Sequence, residues 1–370
     1  MFLNAINKIY IKIFIIMLSF VFYGCKSVNN TDKNRDIPVD IYVGDQCGYW
    51  KNGERVEFPF DRIDLKLHSF LVSGKDIYAG GTIVTSRYGA GYDRACLLKN
   101  GKKIPLTYLC NYEIEKLTDD SRIWSIAISG NDIYAGGYNI TCSGLERAGY
   151  WKNGKWIGLK PVNSKENSGV YSITIYNGDI YASGYSKNSG ITVAGYWKNG
   201  EWVRIYPPDD LVKRLGVGKI VIHDDIYVIG YCVYDSKIRT PGYGFESHIP
   251  GYWKNGEWVK LGDNGKNVRS LFIDGNDVYV GGYSGNAFTK NIAGYWKNGK
   301  WIELKTPNSE RDSLLSSIVV HNGDIYAAGM YKNDAGYYIP CYWKNGKLIT
   351  LSHEAERDSY VTSIIVVDKE

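Results

Sequence analysis

Histidine is scarce in this 370-residue chain: there are five, and none stands in a His-x-His pair. Cys-x-x-Cys and calcium-loop spacings are missing as well, so no metal and no cofactor is expected. No basic tract occurs either. The 44 Lys and Arg against 39 Asp and Glu leave a net charge of only +5, which argues against a nucleic-acid partner. Helical periodicity is lacking after residue 40, where apolar residues alternate instead of recurring at three and four. Long hydrophobic runs are lacking too, apart from one at the start.

That run is Ile13–Gly24, preceded by Lys8 and Lys12. It is short for a membrane span but suits a secretory signal. It closes on Phe22-Tyr23-Gly24-Cys25, which resembles the bacterial lipobox, where a small residue precedes a cysteine that is lipidated and becomes the mature N-terminus. The sequence therefore predicts a lipoprotein signal peptide over residues 1–24, a lipidated Cys25 with a polar tether over 25–39, and one folded domain over 40–370. Such a protein is exported and held by its lipid on the bacterial cell envelope, at the outer membrane or cell surface, as a monomer. Read as an ordinary signal peptide, the same segment yields a freely secreted protein.

The body of the chain is repetitive. Gly-Tyr-Trp-Lys-Asn-Gly stands complete at Gly48, Gly149, Gly195, Gly251 and Gly294, with altered copies from Cys96 and Cys341. The seven Lys positions lie 43 to 56 residues apart, the period of a propeller or solenoid. Asp-Ile/Val-Tyr also occurs seven times, from Asp40 to Asp324, each copy but the first following a β-branched alternating stretch such as Ile126–Ile128. Each unit reads as four short strands rich in Val, Ile, Tyr and Trp. The first Asp-Ile-Tyr has no strand before it, and the last alternating stretch, Val361–Val367, has none after it. A closed ring pairs these two ends and removes open edges. The expectation is an all-β, seven-bladed β-propeller with four-stranded blades, its C-terminal strand completing the first blade.

Within Trp151-Lys152-Asn153-Gly154-Lys155-Trp156, Asn-Gly suits a type I′ turn. The two Lys then face each other, and beyond them the two Trp. Ten of the eleven Trp fall at these repeat positions and are assigned to packing; Trp124 is the exception. The repeated Asp sits beside another tight turn, where it is expected to accept backbone hydrogen bonds.

An alternating strand, then Ile-Tyr-x-x-Gly-Gly, then Tyr and Trp, resembles the kelch repeat over about 330 residues. The Gly pair is complete at Gly80-Gly81, Gly136-Gly137 and Gly281-Gly282. The Tyr-Trp-Lys-Asn-Gly pattern is also similar to repeats of uncharacterised bacterial surface and secreted proteins. Both likenesses imply a propeller and neither implies an activity. The Ser-x-Asp-x-Gly-x-x-Trp box of sialidases, WD dipeptides and YWTD motifs do not occur.

Function is sought where the repeat fails. Short, uniform turns mark one face; the opposite face carries long, dissimilar connections, notably Tyr108–Ser121 and Tyr234–His248. The residue before the alternating stretch's Ser position is His68, Trp124, Tyr171, Gly218, Arg269, Ser316 and Thr362 in turn. His68, Trp124, Tyr171 and Arg269, with Arg122 nearby, are the candidate ligand site at the channel mouth. The leading reading is a non-enzymatic module binding a protein or glycan. A propeller enzyme acting on glycans, as hydrolase or lyase, is the alternative, with Asp119, Asp120, Arg122, Arg269 and His68 as its acid and cation candidates. A structural envelope component is the third. The six Cys beyond Cys25 permit disulfides, but the repeat dictates no pairing.

Overall fold

Asn-Gly sets the geometry that the rest of each blade follows. In the computed structural model all seven pairs hold both residues at positive φ, from Asn52 (50°) and Gly53 (90°) to Asn345 (50°) and Gly346 (80°). A type I′ turn needs such angles, and it fixes the register of its two strands. Lys152 accordingly faces Lys155, and Trp151 faces Trp156. The structure describes residues 38–60, 65–84, 93–109, 121–234, 247–263, 266–285, 289–354 and 357–369. The chain divides into two units; Val39–Val367 is the propeller, and residues 1–38 with 368–370 form the other.

Seven four-stranded antiparallel sheets make the ring. Blades two to seven are continuous. Blade three, for example, runs outward through Arg122–Ser129, Asp132–Ile140, Glu146–Lys152 and Lys155–Gly158. Blade one is split: the last strand, Val361–Asp368, pairs with Val39–Asp45, and Gly48–Lys51 and Glu54–Glu57 follow. The protein is therefore an all-β, seven-bladed propeller closed by its C-terminal strand.

Its core lies between blades. The third-strand Trp of six blades (Trp50, Trp151, Trp197, Trp253, Trp296, Trp343) is at most 1% exposed, and in four of them it faces a second Trp. Four of these indoles donate to a backbone carbonyl of the preceding blade's exit: Trp50 to Ser352 (2.6 Å), Trp151 to Thr107 (2.7 Å), Trp197 to Lys160 (2.8 Å) and Trp343 to Lys305 (2.8 Å). The second Trp is half-buried and rests on the first, with ring centroids 4.4 to 4.6 Å apart in four blades.

The repeated Asp behaves differently from the sequence expectation. Asn153 Oδ1 takes the backbone N–H of Ile133 (2.9 Å), while Asp132 accepts from Asn153 Nδ2 (2.7 Å) and Lys152 Nζ (2.7 Å). The turn amide carries both a donor and an acceptor, so it satisfies the backbone and the carboxylate together. Lys152 also lies 5.2 Å from the Tyr134 ring centroid. The same ion pair recurs in all seven blades at 2.7 to 3.2 Å. The repeated Lys and Asp of this face neutralise each other in pairs, as scaffold.

Candidate functional site

In blades two to seven a bulge interrupts the innermost ladder. In blade two Leu67 pairs with Gly81 and Ser69 with Gly80, so His68 has no opposite number. Trp124, Tyr171, Arg269 and Ser316 bulge in the same way, and Gly218 takes the matching place in blade five. A bulge bends its strand and re-aims its side chain. The second glycine of the Gly-Gly pair makes it possible: a Cβ on Gly137 would lie 1.7 Å from the Arg122 carbonyl oxygen, and one on Gly81 2.1 Å from that of Lys66. The most diverse column of the repeat is thus the bulge, where no ladder partner restricts the side chain.

The innermost strands enclose a central channel of about 1210 Å³, lined by His68, Trp124, Tyr171 and Arg269 among others. Arg122 is placed otherwise. Its guanidinium pairs with Asp93 at 2.8 Å and stands 5.8 Å from the Trp124 ring centroid, outside the lining. It supports Trp124 from behind. Sequence reasoning missed Tyr185, Tyr231 and Tyr283, which line the channel from second strands at the position after the Gly pair, and Arg214 and Lys219 of blade five.

Chain order is ring order, so the wall has sectors. Blades two to four supply a run of rings: His68 to Trp124 at 4.5 Å, Trp124 to Tyr171 at 6.4 Å, and Tyr171 to Tyr185 at 5.6 Å between centroids. Blades five and six supply Arg214, Lys219 and Arg269. Arg269 donates to Tyr283 Oη at 3.2 Å and lies over its ring. Blades seven and one contribute Ser316 and Thr362. Tyr171 and Tyr231 remain 40% and 39% exposed, so aromatic faces are open to a ligand.

Burial pushes the His68 imidazole down to about 4, with the Arg122 cation adding to the effect, so the ring is neutral at physiological pH. Burial also raises the Tyr171 hydroxyl, and burial with a hydrogen bond to Glu146 raises that of Tyr185. These phenols stay protonated and serve as donors. Because the unfolded chain binds the His68 proton first, near its ordinary 6.5, its contribution is complete above that pH and is lost as pH falls toward about 4. Urea midpoints across this window are expected to fall more steeply for the parent than for His68→Phe. Equal slopes would show that the imidazole is not desolvated.

Cys96, Cys232 and Cys341 are free thiols, whereas Cys142 is disulfide-bonded. Burial pushes Cys96 and Cys232 up to about 12, which makes them unreactive. Cys25, Cys110, Asp119, Asp120 and most of the two long connections lie outside the described residues.

No protein-family model and no curated protein matches this chain. Among solved structures, a polysaccharide lyase (an ulvan lyase bound to a saccharide of glucuronic acid and sulfated rhamnose) is similar with a TM-score of 0.51 at 12% identity, over 78% of this chain and 83% of that one. The WD40 propeller domain of Doa1 follows at 0.39 and 11% identity, over 86% and 99% of the two chains. A thermostable family-43 glycoside hydrolase gives 0.33 and 12%, over 63% and 93%. Likeness at such identity shows the propeller fold alone.

Proposed function

We propose that this propeller is a glycan-binding module whose site is the channel mouth on the variable face. The observation that carries this reading is the continuous run of half-exposed rings from His68 to Tyr185, set on rigid inner strands. Sugar rings present apolar C–H faces that pack on aromatic planes, while their hydroxyls find partners in Ser, Thr and Tyr side chains such as Thr362 and Tyr231. Lipidation at Cys25 would tether the module to the envelope, with the kelch-like ring held clear of the membrane; metabolic labelling with a lipid analogue, lost in Cys25→Ala, tests the anchor.

A second reading is β-elimination on a polyuronate. The neutral imidazole of His68 favours it as a base, and a protein of similar fold, at a TM-score of 0.51, is a polysaccharide lyase. Hydrolysis is less well supported: most glycosidases use two carboxylates, and no Asp or Glu is among the described residues lining the channel. An oligosaccharide array probed with the full chain separates the readings. Trp124→Ala is expected to weaken binding about thirtyfold, the effect of removing a central aromatic anchor. Binding equal to the parent would rule out the channel mouth, and unsaturated products released by the parent would establish the lyase.

A further inference from the structure

The Ser that follows each bulge is a scaffold device. Ser69 Oγ accepts the backbone N–H of Ile126 in the next blade (3.1 Å), Ser125 that of Ile173 (3.2 Å), and Ser270 that of Ile318 (3.1 Å). Ser172, Ser317 and Ser363 hold the same position. Blade five alone departs, with Lys219. A protonated amine cannot accept the inter-blade bond, so the clip is given up at this joint.

Three further features coincide in the same blade. Its bulge residue is Gly218, although a Cβ there would meet nothing closer than 3.4 Å, an ordinary contact. Space therefore does not require glycine, and the one bulge without a side chain stands beside the one lysine. Its innermost strand, Val212–His223, is the longest of the seven and carries a second irregularity between Val212 and Arg214. Finally, the described channel lining contains Lys219, Arg214 and Arg269 but no Asp or Glu. Lys219 is partly buried in the wall, and no ion pair or hydrogen bond of its amine is found among the described residues. A cation drawn partly out of water without a counter-charge is costly, and a ligand that brings the missing charge relieves that cost.

We propose that Lys219, with Arg214 and Arg269 in the same sector, forms an anion site that takes a carboxylate or sulfate of a saccharide lying against Trp124 and Tyr171. This rests on the glycan reading above and adds the ligand's charge to it. The aromatic sector then receives the ring and the cationic sector its acidic substituent. Burial holds the Lys219 amine down to about 8, and no neighbouring charged group contributes, so it is protonated at neutral pH yet gains from an incoming anion.

The test uses Lys219→Ser, which installs the residue of the other six blades and so should fold. Full-chain parent and variant are titrated with a polyuronate oligosaccharide, a sulfated neutral oligosaccharide and an uncharged one. The variant is expected to lose about tenfold or more in affinity for at least one acidic probe, with the uncharged probe unchanged. Which acidic probe suffers more tells carboxylate from sulfate. Equal affinities of parent and variant for both acidic probes would overturn the proposal. Inorganic sulfate provides a separate arm: it should raise the parent's Tm and leave that of Lys219→Ser unmoved. If no oligosaccharide binds but the sulfate shift depends on Lys219, the anion site stands and the glycan reading falls. If neither probe binds, both fall.

Discussion

Truncation after residue 360, removing Val361–Asp368, is expected to leave a protein that no longer melts cooperatively and that self-associates. The lost strand is the innermost of blade one and the one element that joins the two ends of the ring. It buries Val361, Ile364 and Val366 in a cluster with Tyr326, Ala328 and Met330 of blade seven and Val43 and Trp50 of blade one. Three such side chains are worth about 5–9 kcal/mol together, comparable to the stability of a whole domain. The inner edge of Val39–Asp45 would also be left open for pairing with another chain. Light scattering and a thermal melt read both effects. A circular permutant carrying residues 361–368 ahead of residue 38 should restore monodispersity, because blade one is then continuous. A truncated chain that melts like the parent would show that closure contributes little.

Trp197→Ala is the second large effect, with an expected loss of about 3–5 kcal/mol. This ring is fully buried among Tyr134, Tyr150, Leu159, Val170 and Ile173, so its removal opens a cavity between blades three and four. It also strips the Lys160 carbonyl of its indole partner. Trp202, half-buried on the outer side of the pair, should cost only about 0.5–1.5 kcal/mol beyond its modest area. Trp253→Ala should fall short of Trp197→Ala by roughly one hydrogen bond, about 1 kcal/mol, since its indole N–H has no partner among the described residues. Urea unfolding of the three variants orders them. If Trp202→Ala proves as costly as Trp197→Ala, the pair is a single cooperative unit and not a buried ring with a cover.

The turn, the Trp pair and the closure were all legible in the sequence, because each is a local rule repeated seven times. Asn153-Gly154 dictates its own φ values, and those values dictate which Trp meets which. The role of the repeated Asp was not legible: deciding whether Asn153 or Asp132 reaches the Ile133 N–H depends on two turns meeting side by side, a tertiary relation. At the site, comparing repeats found His68, Trp124, Tyr171 and Arg269, since diversity at one column survives without a structure. It placed Arg122 with them because Arg122 and Trp124 are two apart on one strand, whereas the bulge at Trp124 re-aims the indole and Arg122 pairs with Asp93. Tyr185, Tyr231 and Tyr283 escaped because they belong to the second strand and reach the channel where the first strand bulges. Lys219 was missed as well, although it is the single break in a column of serines.

The bulge has one more consequence. In blades two to seven a side chain outside the ladder can be exchanged without altering any strand pairing, and the glycine behind it keeps the backbone in place whatever stands there. The bulge positions of blades two to seven thus spell a word of six letters along the ring, His68, Trp124, Tyr171, Gly218, Arg269, Ser316. New words can be written on an unchanged wheel, so a library randomised at these positions alone should yield mostly folded proteins with altered binding.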